Sequence, residues 1–149
     1  MENNKEFIRF EKYHRNNKNV LIHILSFCIG LISFCFLFTF NVRIIILVIY
    51  IFFTYVYFND LKLLIIIILI LLIFSCIFVL LKLNYVQLTM LVIISYLIPE
   101  FSHIYFAENT YLYNRIYEDS NAYKVLITLF NHIINLVPFC IYILNNDRK

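Results

Sequence analysis

Charge is what this chain has least of. Only 14% of its 149 residues are charged, while 63% are hydrophobic and the mean hydropathy is +0.86. That scarcity takes it out of the soluble globular class, in which about a quarter of residues are charged. The net charge is only +3 and no acidic or basic block occurs, so nothing marks a nucleic-acid surface. Four cysteines, Cys28, Cys35, Cys76 and Cys140, lie inside apolar runs without a C-x-x-C spacing. That pattern favours neither a disulfide framework nor a thiolate metal site, and they read as buried structural cysteines. Tryptophan is absent and glycine occurs once, at Gly30.

What is present is a series of apolar runs. A membrane helix needs about 20 mostly apolar residues. The runs predict five spans, over residues 20–40, 44–58, 61–81, 85–106 and 122–144, in one all-α membrane domain preceded by a short N-terminal interfacial helix. The first run lacks a signal-peptide cleavage pattern and reads as a retained anchor. Asn3 and Glu6 resemble a capping box at the start of the interfacial helix. With five spans, eight basic residues (Lys5, Arg9, Lys12, Arg15, Lys18, Lys62, Arg115, Lys124) fall on the N-terminal side. Four (Arg43, Lys82, Arg148, Lys149) fall opposite, which predicts a cytoplasmic N-terminus.

The same parity brings His14, His23, His103 and His132 toward one face of the bilayer, together with Glu100 and Glu108. Ionisable groups near lipid are functional-site candidates by default. Polar stripes at helical spacing predict inward faces: His23, Ser26, Gly30 and Ser33 on the first span; Tyr50, Thr54 and Tyr57 on the second; Thr89, Tyr96, Glu100 and His103 on the fourth; Lys124, Thr128, Asn131, His132 and Asn135 on the fifth. The third span, apart from Ser75, is expected to face lipid. His14 and His23 are nine residues apart, so on one continuous helix they would lie about 13.5 Å apart on opposite sides. They can meet only if the chain breaks between them, and the segment 16–19 (Asn-Asn-Lys-Asn), poor in strong helix formers, is where the break is expected.

Imidazole nitrogens with carboxylate oxygens suit iron or another first-row metal. Glu100-Phe101-Ser102-His103 is a Glu-x-x-His step, the spacing that supplies ligands from one helical face in di-iron bundles. His14, His23 and His103 are the expected ligands, with Glu100, Glu108 and His132 as candidates for the remaining positions. The bland alternative for each imidazole is a hydrogen bond that holds helices together, which would make the protein a non-catalytic membrane adaptor or scaffold. A transporter would need a polar path across the whole bilayer, whereas residues 63–74 are dry.

Tyr13-His14-x-Asn16-x-x-Asn19-x-x-Ile22-His23 resembles the opening signature of the 2-hydroxy fatty acid dioxygenase family, small polytopic proteins of fungal phytosphingosine breakdown. Ser102-His103-Ile104-Tyr105-Phe106-Ala107-Glu108 looks like that family's second block, and Pro138-Phe139 like a Pro-Phe step in its final helix. Ser102 stands where the family usually has glycine, and Glu108 follows His103 by five residues where the family has four. The resemblance implies an Fe(2+)-dependent enzyme of the endoplasmic reticulum that shortens membrane-held 2-hydroxy fatty acids by one carbon, with His14, His23 and His103 as metal ligands. A zinc-dependent membrane lipid hydrolase is the other enzymatic reading.

Overall fold

A computed structural model of the chain describes residues 5–12, 14–106 and 122–146. All regular structure among them is helical: α1 (Lys5–Lys12), α2 (Asn17–Phe36), α3 (Phe40–Phe58), α4 (Leu61–Leu81), α5 (Tyr85–Tyr105) and α6 (Ala122–Asn146). Four of these, α2 to α5, are long and apolar enough to cross a membrane, and α6 carries a further apolar stretch over His132–Asn145. Leu69, Leu72, Ile73 and Val79 on α4 and Val48, Phe52 and Val56 on α3 are more than half exposed, a coating that suits lipid and not water. The fold is that of an all-α membrane helix bundle. Asn3 and Glu108 lie outside the described residues, as do the side chains of Glu6, Lys124, Thr128 and Asn131.

Local chemistry sets the helix ends. α2 begins three residues before the expected position because Asn16 caps it: its Oδ1 accepts from the Lys18 N–H at 2.9 Å and its carbonyl from the Val20 N–H at 3.0 Å. The break therefore falls at residues 14–16, earlier than the 16–19 segment expected, since asparagine serves better as a cap than as a linker. α3 begins at Phe40, not 44, and takes Arg43 into its first turn. The guanidinium sits 3.6 Å over the Phe36 ring, which gives the charge a partner near lipid. Asn59 ends α3 in the left-handed region and Asp60 caps α4 by accepting from the Leu63 N–H. Asn84 and Gln87 form a reciprocal box at the start of α5, each side chain accepting at 3.0 Å from the other's N–H.

The chain divides into two compact units, Leu25–Ile98 and Met1–Ile24 with Pro99–Lys149. In the first, α3 packs on α4, and Leu63, Ile67, Leu71 and Phe78 make one buried stripe on an otherwise exposed α4. Tyr50 and Thr54 are buried as expected, but Tyr57 is exposed. The inward face of α5 also differs from expectation. Thr89 and Tyr96 point outward, and Leu88, half-buried Ser95, Ser102 and His103 line the inner side. Thr89 can face out because its hydroxyl donates to the Tyr85 carbonyl at 2.9 Å and leaves nothing unsatisfied. Cys28, Cys35 and Cys140 are buried, whereas Cys76 is exposed on the outer face of α4.

Gly30 permits the close approach of α2 to Ser95 of α5. A methyl at position 30 would collide with Ser95 Oγ and lie 3.1 Å from Ser95 Cβ, and the hydroxyl is already committed to the Val92 carbonyl at 2.8 Å. Gly30→Ala is expected to destabilise the protein by about 1–3 kcal/mol, the usual cost of overpacking. Unfolding in bicelles should show Ser95→Gly recovering most of that loss in the double variant. Equal losses with and without Ser95→Gly would contradict this contact.

Candidate metal centre

The unit formed by Met1–Ile24 and Pro99–Lys149 holds the histidines. α1 is too short to be stable alone and is held by packing. Phe7 and Phe10 are buried against α6, with ring centroids 5.4 Å and 5.3 Å from Phe139, and Phe7 also meets Tyr142 edge-on at 5.0 Å. The apolar face of the expected interfacial helix thus packs on protein. His14 follows directly and stacks on Phe10, with ring centroids 3.8 Å apart and planes 12° from parallel. His23 sits in the second turn of α2, and His103 near the end of α5.

The three rings form a nearly equilateral triangle. Centroids lie 4.6 Å apart for His14 and His23, 4.9 Å for His14 and His103, and 4.8 Å for His23 and His103. All three are buried, and each offers a nitrogen within 4.8 Å of the others'. His23 Nε2 and His103 Nε2 are 3.1 Å apart. Two imidazole nitrogens bound to one ion at about 2.0–2.1 Å would stand roughly 3–3.5 Å apart, so this pair already has the required separation.

The backbone decides which nitrogens are available. His14 Nδ1 donates to the Phe10 carbonyl and His23 Nδ1 to the Asn19 carbonyl, each at 2.9 Å. A carbonyl oxygen only accepts, so the proton of each neutral ring must be on Nδ1. The lone pairs are then on the Nε2 atoms, the arrangement found where a second bond orients a histidine ligand to a metal. His14 Nε2 is buried with no hydrogen-bond partner. Burial, reinforced by His23, His103 and His132, holds His14 well below the ordinary histidine value of 6.5 even though the Phe10 carbonyl pulls the other way. At neutral pH the ring is uncharged. A buried, unprotonated, unpartnered nitrogen costs about 1–3 kcal/mol, and a bound cation would offset that cost. The residues present fit a metal ion.

Three of the six sequence-based candidates come together. His132 lies close enough to influence His14, with its ring centroid 6.4 Å from that of Phe10, but it is not in the cluster of mutually close donors. Glu100 is half-exposed and brings no carboxylate oxygen into the cluster, although its i, i+3 spacing to His103 placed it on the right helix. Two residues that the sequence reading did not treat as site residues touch the centre. Asn19 Nδ2 lies 3.5 Å from His103 Nδ1, and Ser102 Oγ donates to Asn19 Oδ1. Their signal in the sequence was spacing: Asn19 is one turn before His23 and Ser102 is next to His103. Comparison with protein families, with curated proteins and with solved structures finds no match.

Purified protein should bind about one divalent ion per chain through nitrogen donors. His14→Ala, His23→Ala and His103→Ala should each lose the ion in elemental analysis. Full metal content in both the His23 and His103 variants would remove the site.

Proposed function

We propose that this chain is a multi-pass membrane dioxygenase of the endoplasmic reticulum, with a cytoplasmic N-terminus, that uses Fe(2+) to shorten 2-hydroxy fatty acids by one carbon. The observation that carries this reading is the buried cluster of three imidazoles, with the Nδ1 atoms of His14 and His23 held by backbone carbonyls and His23 Nε2 facing His103 Nε2 at 3.1 Å. These are the three histidines on which the resemblance to the 2-hydroxy fatty acid dioxygenases rests. His14, His23 and His103 would hold the ion. Bound there, it would supply a Lewis-acid centre for the substrate's carboxylate and hydroxyl oxygens and an electron donor to dioxygen.

The chain's own residues account for the remainder. Three neutral ligands leave the positive charge of the ion uncompensated, which suits an anionic substrate. Arg15 and Lys18 are exposed beside His14 and can balance the carboxylate of an acid whose acyl chain stays in lipid. Burial of the three imidazoles limits water at the reacting end. The stoichiometry closes without an external reductant. The C1–C2 bond breaks, one dioxygen takes up four electrons, and the products are the shortened acid, carbon dioxide and water.

A second reading, a zinc-dependent lipid hydrolase, is favoured by one feature: the described cluster is all imidazole, and three histidines with an open fourth position also suit catalytic zinc. Detergent-solubilised protein loaded anaerobically with Fe(2+) should consume about one dioxygen per 2-hydroxy acid once aerated. A chelator should abolish the reaction and Zn(2+) should not restore it. Ester hydrolysis supported by Zn(2+), without oxygen uptake, would replace the dioxygenase reading. A loaded protein inert in both assays would leave a structural metal or a scaffold.

A further inference from the structure

Asn135, in the middle of α6, is only 4% exposed and is flanked by buried Ile134, Leu136 and Val137. Its Oδ1 is closed off from solvent and accepts no hydrogen bond from any described residue. A buried acceptor without a donor destabilises a fold, and native structures hold few of them. The neighbouring Ile134 carbonyl is also deprived of its ordinary helical donor, because Pro138 has no N–H to give it. This turn of α6 is therefore rich in acceptors and short of donors.

Helical spacing ties Asn135 to the histidine cluster. His132 precedes it by three residues and Phe139 follows it by four, so the three share one face of the helix. That face meets Phe10, whose ring centroid lies 6.4 Å from that of His132 and 5.3 Å from that of Phe139. Phe10 in turn stacks on His14. Asn135 thus lies one turn from a residue that borders the cluster, within the same compact unit.

An oxygen that can only accept selects for a proton donor. An ionised carboxylate has no proton to offer, and neither has an acyl chain. The hydroxyl is the one donor on a 2-hydroxy acid, and its lone pairs remain available to an ion while its proton goes to an amide oxygen. An acid without the hydroxyl would leave Oδ1 buried and unpaired. Binding sites reject analogues that lack a hydrogen-bonding group in this way.

We infer that Asn135 is a specificity-determining residue: its Oδ1 accepts the 2-hydroxyl proton of the bound acid and so discriminates against acids that lack it. The inference rests on the proposed function and adds the group that reads the hydroxyl. The test uses the full chain in detergent, with Zn(2+) as a redox-inert ion, and compares binding of tritiated 2-hydroxypalmitic acid and palmitic acid. Wild type should prefer the hydroxy acid. Asn135→Leu should bind the hydroxy acid about 10–100-fold more weakly, the range for depriving a bound donor of its buried acceptor, and palmitic acid as before. A preference of the ion itself for the hydroxyl is common to both proteins and drops out of the comparison. Asn135→Ala, which cannot overpack the site, should give the same loss. Equal weakening of both acids would mark a merely structural amide and overturn the inference, as would a preference that both variants retain. Wild type that binds no Zn(2+) yet keeps an Asn135-dependent preference would sink the metal reading and leave this one standing.

Discussion

Two carbonyl oxygens, those of Phe10 and Asn19, govern what the histidine cluster can do. Each belongs to the residue four positions before a histidine, and each takes that ring's Nδ1 proton. A helical chain presents such carbonyls whenever the intrahelical bond they would accept is missing or shared. At His14 the donor lies just past the end of α1, where carbonyls lack partners; at His23 it lies in the opening turns of α2. The cluster is thus a product of helix termini. Without the two bonds the imidazoles could choose either tautomer, and their lone pairs would have no common direction.

The short α1 matters for the same reason. Eight residues make no stable helix in isolation, yet Phe7 and Phe10 convert α1 into a fixture of α6. Phe10 has two roles. Its carbonyl orients His14 and its ring lies flat against the imidazole, so one residue fixes both the position and the tautomer of the first histidine of the cluster. Asn16 then caps α2, and the turn at residues 14–16 brings His14 and His23 together, which a continuous helix would have prevented.

Much of this was legible from composition and spacing, because lipid imposes simple demands. A long apolar run must be helical, and an ionisable group within or beside one needs a partner. That logic identified the helices, brought His103 to the same face as His14 and His23, and predicted that His14 and His23 meet only across a chain break. It erred where a local bond substitutes for burial. Thr89 satisfies its own hydroxyl on the Tyr85 carbonyl and faces out, so the polar stripe traced along α5 was rotated from the true inner face. It also left Asn19 and Ser102 out of the candidate site. The two are 83 positions apart in the chain, and only the fold shows them bonded to each other beside His103. Ser102 is bonded both to Asn19 Oδ1 and to the Pro99 carbonyl.

The central claim is that three imidazoles present nitrogen lone pairs to a single point. X-ray absorption spectroscopy of the Zn(2+)-loaded protein tests it without reference to any reaction. The account predicts three imidazole scatterers at about 2.0–2.1 Å, completed by light oxygen donors and with no sulfur. A first shell with one imidazole or none, or one dominated by sulfur, would contradict it.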